Sequence, residues 1–382
     1  MSSPEHFCLG NLMKDIDKEV NFEKIEVDLS KDDTTYKSSQ DKKFSSNDSI
    51  FSSKLPMPVF FPIKETDISA KNDFEQFSKE NIILTFNNQQ SSKKLQKDLL
   101  GASKELIDFI LEQLSGIFRI IIKNKNGNYF CSDLFKICNK EQRIKILKEL
   151  SDYISDDCTD EFGTHPIQKL IEFSFSEEEY KLLLMSFNDI NRILMASLNH
   201  NGSFVIQKLI VHIPETLRMD FNLIFVKLIC ILSRDMYGVC TVKKFIAYTK
   251  NELIVKQLLN IIITNFISIS DNQYGNYLIQ YLMEKWWKTE EGKNLKKLII
   301  SKYHILYKNQ YSYYICDLFL KLCNDEERKL VLSSLCNYPT TIYNTNNQIN
   351  SCLNKFGLEH YERNELKYSK NYKNEKNNYS KK

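Results

Sequence analysis

In the segment DNQYGNYLIQYLMEK, residues 271–285, the side chains of Asn276, Tyr277 and Gln280 follow directly on Gly275. On a helix that begins behind an Asp cap, Asn276 and Gln280 stand at i and i+4 on one face with the Tyr277 ring beside them. A glutamine or asparagine amide offers donor and acceptor side by side, which suits the edge of a nucleobase, and a flat ring can stack on the base itself. The same unit recurs as DEFGTHPIQKLIEF (160–173) and NHNGSFVIQKLIVH (199–212). Weaker copies are KNGNYFCSDLFKIC, DMYGVCTVKKFIAY and NQYSYYICDLFLKLC, and two poorer ones are NQQSSKKLQKDLL and NTNNQINSCLNKF.

Aligned on that register, the Asn276 position is held by Ser92, Asn128, Thr164, Ser203, Val239, Asn276, Ser312 and Asn346, at intervals of 36, 36, 39, 36, 37, 36 and 34 residues. The next position carries Lys93, Tyr129, His165, Phe204, Cys240, Tyr277, Tyr313 and Asn347. At 12% Phe, Trp and Tyr, eight random positions would hold about one such residue. Here four are aromatic and a fifth is histidine. The Gln280 position carries Gln96, Ser132, Gln168, Gln207, Lys243, Gln280, Cys316 and Asn350. Amides and hydroxyls alternating with flat side chains, one set per unit, make a reader of unpaired RNA bases. Lys97, Lys169, Lys208 and Lys244, beside the third position, are candidates for phosphate contact, and a salt-dependent affinity would follow.

A period in this range signals a solenoid, in which each unit buries its apolar face against its neighbours. Stretches such as EEEYKLLLMSFNDINRILMASL (177–198) lie between the copies and have helical periodicity, so two or three helices per unit and an all-α superhelix are expected. Gly127, Gly163, Gly202, Gly238 and Gly275 each precede the first position, where glycine permits a tight turn or a close helix approach. Pro166 agrees with a helix start nearby. Three segments follow: a polar arm and proline-containing linker (1–72), a folded array (73–360) and a Lys/Asn-rich tail (361–382), both ends reading as disordered.

A formal charge of +3 is explained by solubility alone. No apolar stretch reaches membrane-spanning length, since Lys227 interrupts LIFVKLICIL, and the N-terminus lacks a signal-peptide core, so an intracellular protein is expected. The ten cysteines are scattered through apolar helical runs without a CxxC pair, which fits reduced core residues. No HExxH, phosphate-binding GxxxxGK[ST] or GxSxG occurs and the six histidines fall at no metal spacing, so neither an enzyme nor a cofactor or metal site is expected. Trp286 and Trp287 read as packing at a helix end.

YGNYLIQ, FGTHPIQKLIE and NGSFVIQKLI at this period resemble the Pumilio (PUF) family of RNA-binding proteins, over roughly residues 73–360. The resemblance implies a right-handed, curved α-solenoid of eight repeats that reads single-stranded RNA one base per repeat, with the first repeat at the RNA 3′ end. It implies uracil for Asn276 with Gln280, and adenine for Ser203 with Gln207, Ser92 with Gln96 and Thr164 with Gln168. Asn128 with Ser132 keeps half of the uracil pair. Ser312 with Cys316 lacks the glutamate by which the family reads guanine, Val239 and Lys243 in repeat five select no base, and repeat eight reads as a cap. The implied target is 5′ n-n-U-n-A-A-U-A. The resemblance also implies a cytoplasmic monomer acting on AU-rich mRNA 3′ untranslated regions with deadenylation or translation-repression factors. The alternatives are a helical protein-interaction scaffold of HEAT or armadillo type, or a nucleolar ribosome-assembly relative.

Overall fold

The structure, a computed structural model, describes residues 77–336. These lie within the second of two compact units, Ile63–Lys382. The arm, the tail and the eighth copy with Asn346, Asn347 and Asn350 fall outside the described residues.

Among the described residues every regular element is helical. Repeat one comprises α1 (Lys79–Thr85), α2 (Gln89–Leu99) and α3 (Lys104–Leu114). Repeat two has α4 (Phe118–Ile122), α5 (Gly127–Ile137) and α6 (Lys140–Leu150), and repeat three α7 (Ile154–Asp157), α8 (Thr164–Glu172) and α9 (Glu177–Met185). Repeat four has α10 (Ile190–Leu198), α11 (His200–His212), a 3-10 turn (Glu215–Leu217) and α12 (Met219–Leu232). Then come α13 (Gly238–Tyr248) and α14 (Glu252–Thr264) of repeat five, and α15 (Phe266–Ser270), α16 (Gly275–Trp286) and α17 (Glu290–Leu306) of repeat six. Repeat seven has α18 (Tyr313–Leu322) and α19 (Asp325–Cys336). The unit is therefore a short helix, a helix bearing the candidate residues and a longer helix; α12 and α17 run on to serve two successive repeats.

The candidate-bearing helices α2, α5, α8, α11, α13, α16 and α18 form one layer, each packed on the next. The longer helices make a second layer, in which α3 packs on α6, α6 on α9, α10 on α12, α12 on α14, α14 on α17 and α17 on α19. One apolar core running from Phe77 to Leu335 lies between them. It is built from helical spacing such as Leu278, Ile279 and Leu282 on α16, whose burial supplies the main stabilisation.

Polar ties cross between repeats, on both the short and the longer helices. Arg143 on α6 meets Glu179 on α9 at 2.7 Å, both almost fully buried. Arg119 and Lys123 meet buried Asp157 at 2.8 and 3.0 Å. Arg218, 1% exposed, donates to the carbonyls of Ile213 and Tyr248 and to the Asn222 amide. Lys296 bonds Glu327 at 3.0 Å and lies over the Trp287 ring, which also meets Phe319, so the tryptophan is a packing residue. The cysteines at 131, 138, 158, 230, 240, 316 and 323 are unbridged; burial pushes the Cys138 and Cys158 thiols up to about 12, as expected of unreactive core groups.

Candidate nucleic-acid interface

Each candidate-bearing helix is started by one recurring device. An Asn or Asp four residues before the first position accepts backbone N–H bonds, at 2.7–3.1 Å, from the residues two and three further on. These residues are Asn88, Asn124, Asp160, Asn199, Asp235 and Asn272, and Asn309 accepts the first of the two bonds, from Tyr311, at 2.8 Å. Side-chain acceptors satisfy the orphan donors of a helix start, which is why Asn and Asp recur there. The cap of α16 is thus Asn272, not Asp271.

The glycine that follows is required by close approach rather than by a turn. A Cβ at Gly127, Gly163, Gly202, Gly238 or Gly275 would lie 2.7, 2.5, 2.5, 2.4 or 2.2 Å from the carbonyl oxygen six residues earlier, at the end of the preceding helix. Glycine lets the candidate-bearing helix start against that backbone.

The device also fixes the register, and in repeat seven it differs from the sequence reading by one residue. The first-position N–H bonds the cap residue's carbonyl at Ser92, Asn128, Thr164, Ser203, Val239 and Asn276, and in repeat seven the residue doing so is Tyr313, bonded to Asn309. Ser312 therefore occupies the glycine place, with its hydroxyl 2.6 Å from the Leu306 carbonyl six residues earlier and 2.6 Å from Asp271. Ser312 and Cys316 are 0% and 1% exposed and are corrected as base-edge residues. Tyr313 is half-buried and moves from the stacking to the first position, Tyr314 at 56% exposed takes the stacking position, and Asp317 takes the third.

In the other repeats the second position faces solvent: Tyr129, Phe204 and Tyr277 are 61%, 48% and 55% exposed, and Lys93, His165 and Cys240 are also exposed. These side chains occupy equivalent places on successive packed helices. His200, which the sequence did not single out, meets both Phe204 and Tyr237 edge-on at 5.5 and 5.2 Å and so bridges repeats four and five.

The first position is buried in repeats one to six, at 6% exposure or less for Ser92, Asn128, Thr164, Ser203, Val239 and Asn276. It is not an open edge. Asn128 and Asn276 donate from Nδ2 to two carbonyls of the preceding turn, at 2.7–3.0 Å. Ser203 donates to His200, while Ser92 and Thr164 donate across the repeat boundary to the carbonyls of Asn126 and Asn201.

The third position sits above it, half-buried, and uses the first as a footing. Gln96 donates to Ser92 at 3.1 Å, Gln168 to Thr164 at 3.0 Å and Gln280 to Asn276 at 2.8 Å. Each bond takes one N–H of a glutamine that has two donors and a carbonyl acceptor. Gln207 is half-buried at the same place, Ser132 donates to the Asn128 carbonyl at 2.8 Å, and Lys243 leans over the Tyr281 ring at 5.3 Å. Repeat five, with Val239 buried, has no polar pair.

The lysines divide. Lys97 is exposed, and Lys244 lies over the Tyr248 ring at 5.9 Å. Lys169 and Lys208 both pair with Glu172, at 3.2 and 3.4 Å. Burial alone would raise the Glu172 pKa, but the hydrogen bond from Lys169 and the Lys208 charge hold it below the usual carboxylate value, so these two lysines tie repeats three and four. Among the described residues no cluster of His, Cys, Asp and Glu could hold a metal ion.

The Pumilio-family RNA binding repeat matches residues 120–151, 158–185, 193–219 and 265–286. Pumilio homolog 12 of Arabidopsis thaliana is 27% identical over 255 residues, covering 65% of this chain and 40% of its own length. Pumilio homolog 11 of the same plant is 28% identical over 196 residues, covering 49% and 32%. The chain carries Pumilio-family repeats. It spans less than half the length of these two relatives. Among solved structures, the Puf4 RNA binding domain bound to the HO endonuclease RNA 3′ UTR recognition sequence superposes with a TM-score of 0.64 at 20% identity, covering 73% of this chain and 87% of that one. The RNA-binding domain of yeast Puf5p bound to SMX2 RNA gives 0.61 at 20%, covering 72% and 82%. The Pumilio fold is thereby shown: the matched repeats are repeats two, three, four and six of the seven described.

Proposed function

We propose that this Pumilio array binds single-stranded RNA, one base per repeat, and regulates mRNAs through elements in their 3′ untranslated regions. The observation that carries the reading is the repeated pairing of an exposed flat side chain with a polar third-position group footed on a buried first-position residue. Phe204 with Gln207 and Tyr277 with Gln280 set a stacking ring beside an amide edge, Gln96 and Gln168 stand beside Lys93 and His165, and Tyr129 and Tyr314 stand beside Ser132 and Asp317. The structural neighbours solved with 3′ UTR recognition sequences support mRNA as the target. A cytoplasmic monomer that recruits deadenylation or translation-repression factors is the matching mode of action, with no chemistry of its own. A helical protein scaffold does not require amides recurring on the same layer of helices.

The register of repeat seven changes the proposed target. Asp317, held by Lys321 at 2.6 Å, places a carboxylate at the third position, and a carboxylate can accept from both N–H groups on the Watson–Crick edge of guanine. With uracil at repeat six and adenine at repeats four, three and one, the element is 5′ n-G-U-n-A-A-U-A before repeat two is considered further. Selection of bound RNAs from a random pool tests it. The expected motif has G-U at repeats seven and six and A at repeats four and one; a pool without positional enrichment overturns the reading.

A further inference from the structure

Repeats two and six share an asparagine in the first position and differ in the third, and the difference leaves one atom without a partner. In repeat six, Asn276 donates from Nδ2 to the carbonyls of Asn272 and Gln273, and its Oδ1 accepts from Gln280. In repeat two, Asn128 donates in the same way to Asn124 and Lys125. Two carbonyl acceptors fix the amide orientation, since the reverse would set Oδ1 against both of them. Oδ1 is then directed toward the third position, where the glutamine is replaced by Ser132. Ser132 is too short to reach it and gives its proton to the Asn128 main-chain carbonyl at 2.8 Å. The Oδ1 atom of Asn128, a residue 1% exposed, has no hydrogen-bond partner. A buried acceptor without a partner calls for an explanation, and a donor from a bound base is one that suits its place beneath the third position.

With the glutamine absent, the polar groups beneath a base at repeat two are both acceptors: the buried Asn128 Oδ1 and the Ser132 oxygen, whose proton is engaged. Repeat six still offers a donor and an acceptor from Gln280. Uracil presents one N–H between two carbonyls and would set an oxygen against an acceptor. Adenine and cytosine present one amino group next to a ring-nitrogen acceptor. Guanine alone presents two adjacent donors, N1–H and the 2-amino group. A purine also reaches further from the sugar than a pyrimidine, which suits the space vacated by glutamine, and Tyr129, 61% exposed, is placed to stack on it.

We infer that repeat two, with Asn128 and Ser132 as its specificity residues, selects guanine and not the uracil that its asparagine implies. This rests on the RNA-binding reading above and changes the predicted element to 5′ n-G-U-n-A-A-G-A. The test measures affinities of eight-nucleotide RNAs differing only opposite repeat two, with A, C, G, U or inosine, for the full chain and for Ser132→Gln. A companion series varies the base opposite repeat six. Guanine is expected to bind about tenfold tighter than uracil, in the range for a bidentate base contact, with inosine, which lacks the 2-amino group, in between. Ser132→Gln rebuilds the repeat-six arrangement and should move the preference to uracil. Uracil binding the wild type as well as guanine does, while repeat six still selects uracil, overturns the inference alone. Loss of selectivity at both repeats overturns the RNA reading beneath it.

Discussion

Replacing Gly275 with alanine tests whether the repeats are set by the close approach at the glycine. The new Cβ would lie 2.2 Å from the Ile269 carbonyl oxygen and 3.0 Å from its carbon. A carbon–oxygen contact needs about 3.3 Å, so α15 and α16 must separate by about 1 Å. Neighbours oppose that movement, because α16 packs on both α13 and α18. Overpacking of this kind costs about 1–3 kcal/mol, and so short a contact belongs at the upper end. The better helix propensity of alanine returns at most about 1 kcal/mol, leaving a net loss of about 2 kcal/mol. Urea unfolding followed by circular dichroism reads this as a lowered midpoint. Gly101→Ala is the control, since its Cβ would meet nothing nearer than the Asp98 carbonyl oxygen at 4.0 Å and its expected effect is neutral or stabilising by about 0.5 kcal/mol. Equal midpoints for the two variants would refute the close-approach reasoning.

Asn276→Ser combined with Gln280→Glu should move the preference at repeat six from uracil to guanine, read as a reversal of about tenfold in competition binding. Tyr277→Ala should weaken RNA binding by about 1–3 kcal/mol, as for loss of one stacking partner, with an unchanged unfolding midpoint because the ring is 55% exposed. Arg143→Met should cost about 3–5 kcal/mol in unfolding measurements, because it leaves the Glu179 carboxylate buried without its cation. Acid unfolding checks the same pair. Burial raises the Glu179 pKa, but the Ser176 hydroxyl, Arg143 and the N–H groups of Ser176 and Phe175 outweigh it and hold the folded value below the ordinary one. Its stabilisation is therefore complete above about pH 4.3 and is lost as pH falls through the folded value, and Arg143→Met should unfold at a higher pH than the wild type.

The helical array and six of the seven described registers were legible because glycine or a Ser/Gln pair marks each copy at a fixed interval. Repeat seven was misread because it has serine at the glycine place, and serine is also a residue expected at the first position. The cue that resolves it is Asn309-Gln310-Tyr311 repeating Asn272-Gln273-Tyr274, an alignment on the capping residue instead of on the candidate site. Burial of the first position could not be read from periodicity, since a small polar side chain beside an exposed ring can turn either to solvent or to the carbonyls of the preceding turn. The ties from Arg143 to Glu179 and from Lys208 to Glu172 join residues 36 apart and have no local signature.

The hydroxyls of Ser92 and Thr164 anchor on the main chain of the following repeat, and the amides of Asn126 and Asn201 reach back to the carbonyls of Phe86 and Thr159. A substitution at either hydroxyl thus disturbs how two neighbours are joined, whereas Gln96 and Gln168 touch that seam only through the hydroxyl on which each rests. The chain's own variety follows this division: glutamine, serine, lysine and aspartate alternate at the outer place, while the inner one stays small in every described repeat but the last. Re-targeting such an array is accordingly cheaper in stability when the outer letter is rewritten and the inner one is kept.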